Sequence, residues 1–276
     1  MGAIIWLASY PKSGNTWLRA FLHNLLRNPP KPAAINELDR FCLGESQAAW
    51  YRDVGGIDPA AASPAEIAAL RPKVHEAFTR SFPDSVFVKV HNRLGEQDGH
   101  PLISMAHTAG AIYVVRNPLD VVLSMTSHFG VDIDGAIERL NMPGAASEAN
   151  DNNVPEYYGD WSHHVTSWTG QENPQLHIVR YEDMTETPQR TFGAIAGFLG
   201  LSPGKPRLNK AIRFSSFKEL RKQEAVSGFR ERSHHADRFF RVGRTGQWRK
   251  ELSTPQIDRI VAAHHEQMER FGYLPE

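Results

Sequence analysis

Short apolar runs alternate along this chain with longer segments in which apolar residues recur at helical spacing. Strands that alternate with helices favour right-handed crossovers and a doubly wound parallel sheet. Three of the runs are followed by a segment in which apolar residues have helical spacing. The first such segment is residues 17–26, and Asn28-Pro29-Pro30 ends the predicted helix. The pattern therefore predicts an α/β fold. The runs that predict strands are residues 4–7, 85–92, 111–116 and Leu176–Arg180.

The segment between the first strand and the first helix carries an anion-binding pattern. Residues 10–17 have the sequence Tyr-Pro-Lys-Ser-Gly-Asn-Thr-Trp, in which a Pro/Gly turn leads directly into the helix. Backbone N–H groups at a helix N-terminus and the positive end of the helix dipole favour an anion there. Lys12 adds a full positive charge, and side-chain donors follow at Ser13, Asn15 and Thr16. The expected ligand is a phosphate or a sulfate group.

The order of these residues differs from that of the loop that binds nucleoside triphosphates. In that loop, G-x-x-x-x-G-K-[ST], the lysine follows the second glycine and a Ser or Thr hydroxyl binds magnesium. Here Lys12 precedes the only glycine of the loop, Gly14, and no predicted strand ends in the aspartate that would bind the metal. We therefore expect an anion site that needs no metal.

Two polar residues lie at the end of the second predicted strand. Side chains alternate between the faces of a strand, so Lys89 and His91 share one face, while the valines at 86, 88 and 90 occupy the other. In open parallel sheets, ligands bind beyond the carboxyl ends of the strands. A histidine at a strand end is more often a capped surface residue, but beside an anion-binding loop we expect His91 to be functional.

The third strand ends in Arg116, and a well-formed helix start follows it. Asn117 is a typical cap, Pro118 suits the first helical position, and Asp120 places an acid in the first turn. Ser124 lies one turn after Asp120 on the same helix. Arg116 either belongs to a ligand site or only caps the strand and pairs with Asp120.

Charge is balanced over the chain but concentrated in one segment. Lys and Arg together number 31, as do Asp and Glu, so the net charge gives no indication of a nucleic-acid-binding or membrane-surface protein. Residues 205–250, however, contain 14 Lys and Arg against four acids, a net charge of about +10. This segment is either a solvated basic loop or a site for an anion.

Cysteine content and the N-terminal sequence bear on the compartment. The single cysteine, Cys42, excludes an internal disulfide. No signal peptide or long apolar run precedes the loop at 10–17, so we expect a cytoplasmic protein that does not bind a membrane. His163 and His164 lie next to each other on a predicted helix, where adjacent residues do not face one another, and metal binding by this pair is not expected.

Two of these segments resemble motifs of sulfotransferases that use PAPS (3′-phosphoadenosine 5′-phosphosulfate). Residues 10–17 are similar to the family's 5′-phosphosulfate loop. The sequence Arg-Asn-Pro-x-Asp-x-x-x-Ser at residues 116–124 is similar to its 3′-phosphate motif. The two motifs also agree with the family in their order along the chain. Tyr181-Glu-Asp after the fourth strand and Ser215-Ser-Phe217 resemble segments that lie on the adenine side.

The basic segment contains one further similarity to the same family. Residues 241–248, Arg-Val-Gly-Arg-Thr-Gly-Gln-Trp, resemble its R-K-G-x-x-G-x-W stretch. Val242 replaces the usual lysine, which removes one contact to the 3′-phosphate, and Arg244 is a candidate to compensate for it.

The resemblance covers nearly the whole chain and implies a fold. It implies a P-loop-like three-layer α/β sandwich with a central parallel sheet flanked by helices, built as a single domain over residues 1–276. Residues 35–62 and 130–168 are expected to form the acceptor side and a lid. Residues 215–250 are expected to form a basic loop that covers the nucleotide.

The resemblance also implies a reaction. We expect transfer of the sulfuryl group from PAPS to a hydroxyl of a small-molecule acceptor, which leaves adenosine 3′,5′-bisphosphate and requires neither a metal nor nucleic acid. His91 is the implied general base, and Lys12 and Lys89 are the implied charge-stabilising residues. The residues implied to bind the nucleotide are Lys12, Ser13, Gly14, Asn15, Thr16, Trp17, Arg116, Ser124, Tyr181, Ser215, Phe217, Arg241 and Gly243.

Three other functions are open on the sequence alone. The first is a nucleotide kinase or other P-loop phosphotransferase, against which the order of Lys12 and Gly14 argues. The second is a polyanion-binding protein that uses residues 205–250. The third is a nucleotide-binding homologue without catalytic activity, and the presence of Lys12, Lys89 and His91 argues against it. Neither the acceptor nor the oligomeric state has a signal in the sequence.

Overall fold

The structure, a computed structural model, describes residues 2–275, which form seven strands and thirteen α-helices. The strands are β1 (Ile4–Ser9), β2 (Leu43–Gly44), β3 (Val86–Val90), β4 (Glu96–Gln97), β5 (His100–Pro101), β6 (Thr108–Val115) and β7 (Leu176–Arg180). The helices are α1 (Asn15–Arg27), α2 (Leu38–Phe41), α3 (Ala48–Gly55), α4 (Pro64–Phe78), α5 (Pro118–Phe129), α6 (Ile133–Leu140), α7 (Trp161–Thr169), α8 (Tyr181–Glu186), α9 (Pro188–Phe198), α10 (Lys205–Phe214), α11 (Phe217–Ser227), α12 (Trp248–Glu251) and α13 (Thr254–Arg270).

Five of the strands form one parallel sheet in the order β2-β3-β1-β6-β7, flanked by helices. In the pairing of β1 with β3, Ile4 lies opposite Val86 and Ala8 opposite Val90. The strands are apolar because a parallel sheet covered by helices is buried on both faces. The predicted α/β class and the central parallel sheet are confirmed. Strand β1 extends beyond its predicted run to Ser9, whereas β3 is shorter than the predicted run 85–92.

The described residues pack into two compact units. The first consists of residues 2–11, 42–113 and 142–178, and the second of residues 12–41, 114–141 and 179–275. Each unit is described by itself below. The prediction of a single domain stays a prediction.

Side-chain alternation along β3 organises the core of the first unit. Val86, Val88 and Val90 are buried, whereas Phe87 and Lys89 are half-buried, as the pattern predicted. At the start of α4, Ser63 and Glu66 form a complete capping box.

A buried ionic cluster fixes the loops of the first unit. Arg71 and Glu45 form an ion pair with no exposed side-chain surface. The Tyr51 hydroxyl donates to Glu45 at 2.5 Å, and Asn92 Nδ2 donates to its other carboxylate oxygen at 2.8 Å. Burial alone would raise the pKa of Glu45. The Arg71 charge and the hydrogen bond from His75 outweigh it and lower this pKa to about 2.

The second unit is built around α1 and the basic segment. Helix α1 starts after Gly14 and ends at Asn28, whose left-handed φ of 46° closes the helix. The predicted loop at 215–250 contains helices α11 and α12, and its aromatic residues pack on α1. The apolar cluster that joins them comprises Ala20, Ile35, Leu38, Leu220, Phe229 and Phe240, with Trp17, Phe217 and Phe239 packed against it.

Elements absent from the predicted pattern include strand β2, the hairpin β4–β5 and helices α8, α10 and α11. The hairpin turn uses Asp98 and Gly99, both with positive φ, and Asp-Gly is a sequence signal for such a turn. Among residues 2–275, no helix combines the length and the apolar character needed to cross a bilayer.

Candidate functional site

The start of α1 is built on a glycine and lacks a side-chain cap. Gly14 has a φ of 108°, and a Cβ atom there would lie 2.6 Å from the Tyr181 ring, so only glycine fits. The first turn of the helix has no side-chain cap and no acidic residue. The backbone N–H groups and the dipole of α1 are therefore not opposed by a carboxylate of the first turn.

The polar side chains of this loop are almost completely buried. Ser13 is 1% exposed, Asn15 4% and Thr16 7%. Within the described residues, the Ser13 hydroxyl has no hydrogen-bond partner, although buried hydroxyl groups nearly always have one. An unpartnered buried donor next to a helix N-terminus fits an anionic ligand.

Arg116 connects the two phosphate motifs of the second unit. Its Nη1 donates to the Lys12 carbonyl at 3.0 Å and to the Ser124 hydroxyl at 3.1 Å. Its guanidinium carbon lies 4.4 Å from the centre of the Tyr181 ring. The side chain is buried, and its Nε has no hydrogen-bond partner among residues 2–275. The structure thus brings Lys12, Arg116 and Ser124 together.

Asp120 binds the glycine-rich stretch of the basic segment. Its carboxylate accepts hydrogen bonds from the Gly246 N–H at 2.6 Å and the Trp248 N–H at 3.1 Å. The alternative role of Arg116, as a partner of Asp120, therefore has no support. Arg241 of the same stretch donates from Nη2 to the Leu123 carbonyl of α5 at 3.1 Å.

Gly243 and Phe217 are in tight contact. Gly243 has a φ of 66°, and a Cβ atom there would lie 2.2 Å from the Phe217 ring. Trp17 meets Tyr181 edge to face, with ring centres 5.6 Å apart. Lys12 Nζ lies 4.2 Å from the centre of the Phe239 ring. The implied adenine-side residues are thus ordered in the second unit, and their contact with adenine stays a prediction.

The Ser215 hydroxyl bonds to the main chain of α10. Ser215 is completely buried, and its hydroxyl donates to the carbonyl groups of Ala211 at 2.9 Å and Ile212 at 3.3 Å. A serine in the last turn of a helix commonly bonds back in this way. The neighbouring Ser216 caps α11 instead, accepting from the Glu219 N–H. Nucleotide binding by Ser215 and Phe217 stays a prediction.

In the first unit, hydrogen bonds to Ser9, Glu156 and His164 hold His91. Its Nδ1 lies 2.7 Å from the Ser9 carbonyl oxygen, which can only accept, so Nδ1 carries the proton and Nε2 carries the lone pair. Its backbone N–H donates to Glu156 at 3.1 Å, and its carbonyl accepts from His164 Nε2 at 3.0 Å. His91 has the geometry of a proton acceptor at Nε2.

His164 is a neutral residue that donates a hydrogen bond to the His91 carbonyl. It is completely buried, which lowers its pKa to about 3. Since Nε2 donates to His91, its Nδ1 accepts the hydrogen bond from the Tyr113 hydroxyl, at 2.8 Å. In the sequence, His163 and His164 were considered only as a metal-binding pair, and nothing indicated that His164 bonds to His91.

Glu156 is a carboxylate that sequence reasoning missed. It accepts from the His91 N–H, and it is held in place because its own N–H donates to the Ser147 hydroxyl at 2.9 Å. Burial raises the pKa of Glu156, and the charge of Lys89 opposes that rise. No motif marks this residue, since only the fold brings residue 156 next to β3.

The arrangement defines a class of protein. The chain has a parallel α/β sheet, a loop with an unpartnered buried hydroxyl before α1, an arginine that ties this loop to Ser124, and an oriented histidine after β3. These are features of α/β enzymes that transfer an anionic group. Residues 4–272 match the family described as the sulfotransferase domain, and the chain belongs to that family.

Curated relatives include sulfotransferases from mammals. Sulfotransferase 2A2 of Mus musculus is 28% identical over 178 residues, a match that spans 60% of this chain and 60% of the relative. Sulfotransferase 1B1 of Canis lupus familiaris is 27% identical over 274 residues, covering 96% of this chain and 83% of the relative. The match to the first of these thus spans less than two thirds of its length.

Solved structures share the fold. Mouse sulfotransferase SULT7A1 complexed with PAP superimposes with a TM-score of 0.63 at 20% identity, over 96% of this chain and 84% of the other. Retinol dehydratase in complex with androsterone and the inactive cofactor PAP gives a TM-score of 0.66 at 16% identity, over 96% and 80%. The P-loop-like fold expected from the sequence is therefore confirmed.

Proposed function

We propose that the protein is a PAPS-dependent sulfotransferase that acts on a hydroxyl of a small-molecule acceptor. The observation that carries the proposal is Arg116, which hydrogen-bonds both the Lys12 carbonyl and Ser124 and keeps its buried Nε without a protein partner. A cationic group of this kind fits a phosphate that lies beside the loop of α1. Membership of the sulfotransferase-domain family and the PAP in the related structures support the nucleotide.

The second unit holds the nucleotide in this proposal. Ser13, the backbone N–H groups of the loop and Lys12 bind the 5′ side, where a Ser hydroxyl without a partner is already present. Arg116 and Ser124 bind the 3′-phosphate, together with Arg241 and Gly243. Trp17, Tyr181 and Phe217 form the adenine side. At the 3′-phosphate, Val242 contributes no charge. Arg244 takes the place of the missing lysine.

The chemistry combines positioning with electrostatics. When bound, PAPS supplies the sulfuryl group and a phosphate leaving group. Lys12 stabilises the negative charge that develops on the leaving side, and Lys89 stabilises charge on the transferred group. His91 Nε2 accepts the proton of the acceptor hydroxyl. The Ser9 carbonyl keeps His91 in the tautomer that this step needs.

Calorimetric titration tests the donor site directly. Adenosine 3′,5′-bisphosphate is titrated into the protein without metal, with AMP as the control that lacks the 3′-phosphate. We expect binding of the bisphosphate that is at least tenfold tighter than that of AMP, since charge-assisted hydrogen bonds to Arg116 contribute about 1.5–3 kcal/mol. Equal or absent binding of the two nucleotides would refute the proposal.

Two rival functions are separated by matched assays. Turnover of ATP that depends on magnesium would indicate a phosphotransferase, which the order of Lys12 and Gly14 opposes. Binding of DNA with a steep salt dependence would indicate a polyanion-binding protein that uses residues 205–250. The cytoplasmic location, the independence from metal and the small size of the acceptor stay predictions.

A further inference from the structure

A buried arginine links the anion-binding loop of the second unit to its basic segment. Arg19 lies on α1 one turn after Thr16, and its side chain is only 2% exposed. Its terminal nitrogens donate to both carboxylate oxygens of Glu231, at 2.8 and 2.6 Å. Nη2 also donates to the Thr16 hydroxyl oxygen at 3.0 Å. Neither Arg19 nor Glu231 belongs to a motif that the sequence resemblance covers.

The hydrogen bond from Arg19 determines what the Thr16 hydroxyl can do. A hydroxyl has one hydrogen to donate, and a guanidinium has no acceptor. Because the Thr16 oxygen accepts from Arg19, its hydrogen must point away from the guanidinium. Within residues 2–275 this hydroxyl has no second hydrogen-bond partner. A hydroxyl that accepts from a cation is also polarised, which strengthens it as a donor.

Glu231 makes this use of Arg19 possible. A buried guanidinium without a counter-charge is strongly destabilising, and a bidentate carboxylate both neutralises it and fixes its plane. Glu231 is about one-third exposed and lies after α11 in the basic segment. The orientation of Thr16 therefore depends on a residue 215 positions later in the sequence.

We propose that Arg19 and Glu231 are positioning residues for the nucleotide. Arg19 directs the Thr16 hydroxyl toward the 5′ side of the nucleotide, and Glu231 holds Arg19 in the plane that this requires. The inference rests on the proposed function, because it takes the anion at the loop to be that of PAPS or its product. The inference adds to the proposed function that the loop before α1 and the basic segment are coupled through the Thr16 hydroxyl.

A double-mutant cycle tests the coupling. Calorimetric titration of adenosine 3′,5′-bisphosphate is carried out on the wild type, Glu231→Gln, Thr16→Ala and the double variant. We expect E231Q alone to weaken binding about tenfold, since it loosens one charge-assisted donor. In the Thr16→Ala background, the same substitution should change affinity less than about twofold. Thr16→Ser retains the hydroxyl and should retain the full effect of E231Q.

A different result of the double-mutant cycle would contradict the inference. If E231Q costs the same affinity with and without the Thr16 hydroxyl, the ion pair only stabilises the basic segment, and the inference is wrong. If E231Q does not fold, as judged by thermal melting, Glu231→Asp replaces it in the cycle with the same expectations. Failure of the wild type to bind the bisphosphate would refute the proposed function itself, and this is seen before any variant is compared.

A neighbouring ion pair provides the matched control. Arg230, next to Glu231, pairs with Asp39 at 3.6 Å, and both side chains are exposed. Asp39→Asn removes a charge from the same region without touching Arg19. Exposed pairs contribute little, so D39N should leave the affinity unchanged. A loss in D39N equal to that in E231Q would show a general effect of charge and would overturn the inference.

Discussion

The tautomer of His91 is determined by its contacts with Ser9. The Ser9 hydroxyl lies 3.3 Å from Nδ1, and alone it could either donate or accept. The carbonyl at 2.7 Å removes this ambiguity because it has no hydrogen to give. His164, neutral because of its lowered pKa, then fixes the His91 carbonyl without adding a charge.

Replacement of His91 tests its role as general base. We expect His91→Ala to lower kcat by about 10²–10⁴-fold, the usual contribution of a general base. Affinity for adenosine 3′,5′-bisphosphate should stay within about twofold, since His91 is not among the nucleotide-binding residues. Single-turnover kinetics and calorimetry measure the two quantities separately. Retained turnover in H91A would mean that another group takes the proton.

Replacement of Arg116 should give the opposite pattern. Arg116→Ala removes the proposed partner of the 3′-phosphate and the hydrogen bond to the Lys12 carbonyl, so we expect at least a tenfold loss of bisphosphate affinity. Affinity for AMP should change much less. The titration is the same as for the wild type. An equal loss for both nucleotides would assign Arg116 to the loop structure and not to the 3′-phosphate.

Sequence patterns identified site residues that are close to a motif and missed those that act across the fold. Lys12, Arg116 and Ser124 were expected from local motifs, and they lie together. Glu156 and Arg19 were not expected, because their partners are 65 and 212 positions away. Ser215 was expected among the nucleotide-binding residues; its hydroxyl donates to carbonyl groups of α10, and nucleotide binding by this residue stays a prediction.

At the scale of elements, the contact between Gly243 and Phe217 ties the glycine-rich stretch to α11. Gly243→Ala adds a Cβ at 2.2 Å from the Phe217 ring and strains a left-handed backbone. We expect the displaced ring to lower bisphosphate affinity about tenfold or more. Gly228→Ala is the control, because its φ is 67° but nothing lies within 4 Å of the added carbon. It should lower the melting temperature slightly and leave affinity unchanged.

The ionic cluster around Glu45 makes the first unit sensitive to acid. Glu45→Gln leaves Arg71 buried without its counter-charge, so we expect a loss of about 3–5 kcal/mol in the free energy of unfolding, measured by urea denaturation. Glu76→Gln, in an exposed ion pair with Arg80, should change it little.

The same carboxylate sets a pH dependence. The pKa of Glu45 is lowered from its ordinary value of 4.5 to about 2 in the folded protein. Its contribution to stability is therefore complete above its unfolded pKa and is lost as the pH falls from about 5 toward 2. Denaturation midpoints measured between pH 7 and pH 3 should fall more steeply for the wild type than for E45Q. Parallel profiles would refute this assignment.

Secondary structure was predictable where apolar periodicity was strong. The four predicted strands and the helices after β1, β6 and β7 are present because each buries a continuous apolar face. Strand β2 has only two residues, too few to show a period, and it exists because it pairs with β3. Helix α8 begins at Tyr181 directly after β7, where the polar sequence Tyr-Glu-Asp gave no sign of a helix.

At the scale of the whole molecule, balanced charge conceals a strong separation. Residues 205–250 carry about +10, and the remainder carries about −10. The proposed function predicts that this charge serves a small, specific anion. Adenosine 3′,5′-bisphosphate at about 100 times its Kd should stabilise the protein by about 2.7 kcal/mol, a rise of roughly 5–10 °C in melting temperature.

The control for this measurement uses AMP and a short DNA duplex at the same ionic strength. AMP at the same concentration should stabilise the protein much less, and DNA should have no effect. A rise in melting temperature with DNA that disappears at high salt would favour the polyanion-binding alternative.

The hydrogen bond from His91 to the main chain of β1 has a consequence for natural variation. The group that selects the protonation state of the ring is a peptide carbonyl, which every amino acid at position 9 possesses. Substitutions at Ser9 that leave the strand intact therefore cannot remove it. Under the proposed function, variation at that position leaves the acid–base chemistry unchanged, and loss of the proposed base requires a change at codon 91 or a shift of the strand itself.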